Sequence, residues 1–139
     1  MRTLFVALLS VLTLTAFGNP SVVRVDKAEL DKLAIPYRLM VGNHDDRTNF
    51  HIAFPQAKRD DDGFVQFTFD MGEGVTAICL DTNEPGKPWG SFCDKRAKWL
   101  RAALDGVNDK PVMIFMHHPP FKVRLKRMEI GRRRVGKEC

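Results

Sequence analysis

The 139 residues are 44% hydrophobic and 28% charged, a globular balance long enough for one domain with a core and too short for two. The formal charge is +5, but residues 122–139 hold 8 Lys/Arg against 2 Asp/Glu, and removing that +6 leaves −1 on the rest. The basic balance thus belongs to a tail, the body lacks the electrostatic footprint of a polyanion binder, and nucleic acid is not an expected partner.

In chain order, Met1-Arg2, the charge-free run 3–17 and Gly18-Asn19-Pro20-Ser21 have the basic start, apolar middle and small-residue exit of a secretory signal, with Ala16-Phe17-Gly18 as its cleavage site. A buried strand or helix of the domain is the equal alternative. The run is too short for a stable membrane span. Asp26-Lys27-Ala28-Glu29 spells a capping box that opens a helix through Leu33. Pro36 stops it, and the apolar run 37–41 reads as a buried strand that turns sharply at Gly42.

Residues 48–54 predict a short helix closed by Pro55, and the charged cluster 58–62 with Gly63 predicts a solvated turn. A strand over 64–69, a turn over 71–74 and a second strand over 75–80 follow. The second strand ends at Asp81-Thr82, where Asp81 is expected to bond local amides. After the Pro/Gly loop 84–90, Ser91 or Asp94 caps a helix running to about Leu104, with Phe92, Ala97, Leu100 and Leu104 on one apolar face. The apolar strand 112–116 completes a βαβ unit. Cys79, Cys93 and Cys139 form no C-x-x-C pair, and packing is the expected role of Cys79 and Cys93.

Two loops carry the chemistry. Gly42-Asn43-His44-Asp45-Asp46-Arg47 presents an amide oxygen, an imidazole, two carboxylates and a guanidinium directly after a strand, where open α/β sheets place their ligands. His117-His118, followed by Pro119-Pro120, stands at the end of the last strand and is a rigid mount for imidazoles at the same sheet edge. A lone histidine there is more often a bonded core residue than a ligand. Two such loops at one edge point to a site.

These two blocks, with Leu80-Asp81-Thr82 and the Trp89-Gly90 loop before Trp99-Leu100, resemble the calcineurin-like metallophosphoesterase superfamily over about residues 33–121. Within it they are similar to the bacterial cyclic-nucleotide phosphodiesterase and glycerophosphodiesterase branch. The resemblance implies an α/β fold, here a partial αββα sandwich, with a dinuclear centre of Mn, Fe or Zn in full-length relatives and a small phosphodiester as substrate. It implies Asn43 and His117 as metal ligands. His44 would act at the leaving group, with Asp45 orienting its ring, work that suits imidazole because its ordinary pKa is near neutrality. Metal-bound hydroxide would attack phosphorus, and Arg47 and His118 are the candidate substrate contacts.

The family pattern also contains Asp-x-His, Gly-Asp and Gly-His-x-His, and none of these is in the sequence. Two neutral ligands without a carboxylate or thiolate make a poor divalent-ion site, so at most one weakly bound ion is expected. The expected layout is a signal-like or non-homologous segment at 1–25, a partial metallophosphoesterase domain at 26–121 and a basic, disordered tail at 122–139. The resemblance suggests a cytoplasmic location, or export if the leader is real. The alternative to a working hydrolase is an inactive, truncated or frame-disrupted remnant. The sequence leaves the oligomeric state open.

Overall fold

The computed structural model describes the backbone of residues 7–10 and 27–28, the whole of 29–121, and Ile130. The signal-like cleavage site, the cap Asp26, Cys139 and the basic tail other than Ile130 lie outside the described residues. Among the described residues, five strands and three helices run β1 (Ala7–Ser10), α1 (Lys27–Leu30), β2 (Tyr37–Met40), α2 (Arg47–Ala53), β3 (Phe67–Gly72), β4 (Val75–Leu80), α3 (Asp94–Asp105) and β5 (Val112–Met116). They form a partial α/β sandwich. Among the described residues, no helix is long and apolar enough to cross a membrane.

The strands make two sheets. β1 pairs in parallel with β2, Ala7 opposite Tyr37. β4 is central in the second sheet, antiparallel to β3 and parallel to β5. Parallel pairing across α3 confirms the βαβ reading. β4 is paired along both edges, and Ala77, Ile78, Cys79 and Leu80, which alternate between its two faces, are all buried, so both faces are covered there. Leu30, Leu39, Met40, Val41, Phe50, Phe54, Val65 and Phe67 join Cys79 in one core cluster. That cluster seats the C-terminal end of β2, and hence the loop that follows it.

The structure adds to or departs from the sequence reading at four points. The strand expected over 64–69 begins only at Phe67, because the preceding amides are already engaged: Phe64 N–H donates to Asp60 Oδ1 and Val65 N–H to Asp81 Oδ2. The apolar face of α3 is not what anchors it. Leu104 is exposed, and the buried helical residue is Arg96. β5 is only part-covered, with Met113 and Ile114 exposed. Among the described residues it is an edge strand, paired with β4 alone. Finally, Cys93 is disulfide-bonded, whereas Cys79 is a free, buried thiol.

Candidate functional site

β2 delivers the fully buried Val41 and then Gly42, where the chain turns back on itself. Asp45 N–H donates to Gly42 O at 3.2 Å, and Gly42 N–H donates to Asp45 Oδ2 at 2.7 Å. This reciprocal pair leaves Asn43 and His44 at the tip. Asp46 follows as the N-cap of α2, its carboxylate accepting from Asn49 N–H at 2.8 Å. A strand end, a turn and a helix start are thereby fixed within a few residues.

The second block reaches the same place from β5. His117 Nε2 lies 2.9 Å from Asn43 Oδ1, so the ring donates there as its Nε2–H tautomer. Contact is close enough that a Cβ on Gly42 would stand 3.1 Å from His117 Cε1. Glycine is needed here for approach, not for an unusual φ. The two loops do not leave one sheet edge, as the sequence suggested. They leave β2 and β5, which belong to different sheets, and converge at their C-terminal ends.

His118 turns the other way. Its side chain is fully buried, and Nδ1 is 2.8 Å from Thr82 Oγ1. The His117 and His118 rings meet edge to face at 4.9 Å. Burial, then the neighbouring charge on His117, pushes the His118 imidazole down to about 4. His117 is also lowered, by burial first and by His44 second. Asp45 is raised, because burial outweighs the Gly42 N–H and His44, which favour its charged form.

Arg47 is committed to the protein. Nε donates to Asp81 Oδ2 at 2.6 Å and Nη2 to Asp81 Oδ1 at 2.9 Å, with a further bond from Nη2 to Asn83 O. Asp81 is fully buried, and besides the local amide of Asn83 it accepts from Val65 N–H at 3.0 Å. Phe64 is flanked by the guanidiniums of Arg47 and Arg96, 5.1 Å and 4.4 Å from its centroid. Burial lowers the pKa of Arg96. Thus Asn43, His44, Asp45 and His117 share the site, while Arg47 and His118 lie behind it.

Sequence reasoning named Thr82 only as part of the polar end of the strand and of the resemblance, and passed over Asn83 and Arg96. Asp81-Thr82-Asn83, a polar triplet directly after the apolar β4, was the available signal. In front of the turn lies a groove of about 380 Å³, bounded by Asn43, His44, Asp45 and Asp46 on one side and by residues 85–88 on the other. The far wall is a tight turn in which Lys87 N–H donates to Glu84 O at 3.0 Å and Gly86 takes φ 71°. Lys87 Nζ rests 5.6 Å from the centroid of the Trp89 ring. His51, the remaining histidine, is elsewhere, on α2, its Nε2 3.4 Å from Gly63 O.

No family model matches the chain. It is 41% identical over 100 residues to a probable cyclic nucleotide phosphodiesterase of Rhodopseudomonas palustris, covering 70% of this chain and 36% of that protein. It is 30% identical over 116 residues to a glycerophosphodiester phosphodiesterase of Enterobacter lignolyticus, covering 81% and 41%. A 3',5'-cyclic adenosine monophosphate phosphodiesterase of Pseudomonas aeruginosa is 28% identical over 91 residues, covering 66% and 31%. The chain spans less than half the length of each of these relatives.

Proposed function

We propose that this chain, homologous to part of the cyclic-nucleotide and glycerophosphodiester phosphodiesterases of the calcineurin-like metallophosphoesterase family, bears one side of a site for phosphodiester hydrolysis in the groove beside Asn43 and His44. The observation that carries the reading is the contact between His117 and Asn43, which joins two motifs 74 residues apart beside an open groove. His44 is exposed at that groove and is the proton donor to the leaving oxygen. Asp45 shapes the turn that presents it. Arg47 and His118 serve from behind the groove, as supports of the turn and of the His117 loop.

The family implies a dinuclear metal centre, which supplies a nucleophile and neutralises charge at phosphorus when bound. Asn43 Oδ1 and His117 Nε2 are the candidate ligands for it, but they are hydrogen-bonded to each other at 2.9 Å, and His117 would have to give up its Nε2 proton before that atom could hold a metal. Both are neutral, and the nearby carboxylates are engaged, Asp45 by Gly42 N–H and Asp81 by Arg47. No group of three His, Cys, Asp or Glu converges among the described residues. The described donor set therefore does not by itself fit two divalent ions, which favours the second reading, a chain that folds around the site but turns over slowly or not at all.

The deciding assay measures hydrolysis of bis(4-nitrophenyl) phosphate by the full chain with Mn²⁺, before and after Asn43→Ala and His44→Ala. Turnover that falls with both substitutions supports the hydrolase. Turnover indifferent to both removes the assigned roles, and none in the parent chain supports the second reading.

A further inference from the structure

We propose that Asn83 is the positioning residue of the candidate site: its side-chain amide ties both ends of the Gly42–Asp45 turn to the end of β4 and so sets where Asn43 and His44 point. The inference rests on the reading of those two residues as the working ones. Asn83 is fully buried. Its Nδ2 donates to Gly42 O and, at 2.8 Å, to Asp45 O. Both partners are carbonyls, so only the NH₂ end of the amide can face them, and the orientation of the side chain is fixed.

The backbone of Asn83 is held just as firmly. Its N–H donates to Asp81 Oδ1 at 2.9 Å, and its carbonyl accepts from Arg47 Nη2 and, at 3.1 Å, from Arg96 Nη2. Two guanidiniums and a carboxylate thus immobilise the residue that bridges the turn. Asn83 Oδ1, in contrast, is buried and has no hydrogen-bond partner among the described residues. An orphaned buried acceptor costs about 1–3 kcal/mol. A space-filling role does not require that sacrifice, whereas a bridge between two carbonyls needs an NH₂ group and brings the oxygen with it.

The other contacts reach the turn beside its end carbonyls, His117 at Asn43 and Arg47 from the start of α2. Gly42 and Asp45 are joined to each other by the reciprocal pair, which closes the turn but does not anchor it to the sheet. Asn83 reaches both carbonyls from the end of β4. With the amide removed, the tip can drift relative to His117 while the sheet stays intact.

NMR of the full chain tests this without needing turnover. In the parent protein the Asn83 side-chain protons should exchange slowly and show scalar coupling to the Gly42 and Asp45 carbonyls. In Asn83→Asp, which keeps the volume and removes the donor, exchange of the Gly42 and Asp45 amides should speed up about tenfold relative to Ile78 and Cys79. Fast exchange of the Asn83 side chain in the parent, or an unchanged turn in the variant, overturns the proposal. Should the variant fail to fold, the parent measurement decides. Where the parent hydrolyses bis(4-nitrophenyl) phosphate with Mn²⁺, Asn83→Asp should lower kcat about tenfold with KM within about twofold, and a rise in KM alone overturns the assignment. A parent without turnover counts against the hydrolase reading only, and the exchange data still judge Asn83.

Discussion

His117 Nε2 and Asn43 Oδ1 stand 2.9 Å apart, and the ring that makes this contact leaves no free space beside Gly42 for a side chain. Gly42→Ala would place a Cβ 3.1 Å from the ring, which can yield by a few tenths of an ångström because it is held at its far end by one bond. A cost of about 1 kcal/mol is expected. Gly90→Ala is different in kind. Its Cβ would lie 2.6 Å from both Cβ and Cγ of the buried His118, atoms tied to the backbone that cannot swing away. About 3 kcal/mol is expected there, and urea denaturation of the two variants should preserve that order.

Arg47 and Asp81 form a pair in which the carboxylate is wholly buried and the arginine side chain 17% exposed. Replacing such a pair outright can be neutral, but removing one partner strands the other. Arg47→Met should therefore cost roughly 3–5 kcal/mol, and the double variant Arg47→Met with Asp81→Asn, which removes the stranded charge and keeps an acceptor oxygen for the Val65 or Asn83 amide, should recover part of it. Equal loss in both, read from urea midpoints, would show that the ion pair is not the source.

His118 makes stability depend on pH in a definite sense. Its folded imidazole is pushed down to about 4, so below its unfolded value near 6.5 the unfolded chain binds a proton that the folded chain refuses. The stabilisation is complete above that upper value, declines as pH falls and levels off below about 4, a total of roughly 3 kcal/mol. His117 is lowered for the same cause and adds in the same sense. Asp45, raised by burial, acts in the opposite sense. Chemical denaturation of the parent and of His118→Asn across this range isolates the His118 share, and the variant should show the flatter profile.

Much of the fold was legible in periodicity and punctuation. The apolar run that became β4, the Pro stops and the strand–helix–strand order needed only local information. The turn at Gly42 was legible as well, because its glycine and its Asx residues act on neighbouring amides. What stayed hidden depends on partners distant in sequence. Nothing near Arg47 announces Asp81, and nothing in the helical pattern around Arg96 announces a carbonyl at Asn83 that draws it inside. His118 was misplaced relative to the groove for the same reason. Adjacent residues after a strand point to opposite sides, and which side faces solvent was decided by Thr82, 36 residues away.

Cys79 is buried, and its thiol is pushed up to about 12, by burial first. Since the thiolate is the reactive species, Cys79 should resist alkylation at pH 8 in the folded chain and react once urea unfolds it. Mass spectrometry of the labelled peptide distinguishes the two states. Labelling of Cys79 without denaturant would mean that β4 opens readily to solvent.

The bonds that hold the Gly42–Asp45 turn in place run to residues 34 to 41 positions away. Contacts of such separation are made only after the intervening chain has been closed into a loop, at an entropic cost that local turns escape. The turn can flicker into shape early on its own reciprocal bonds, but it acquires a fixed attitude only when β4 arrives carrying Asp81 and Asn83. Substitutions at Asn83 should accordingly speed unfolding more than they slow folding, the outcome expected if the tip bearing Asn43 and His44 becomes native late, and stopped-flow folding and unfolding rates of Asn83→Asp check it.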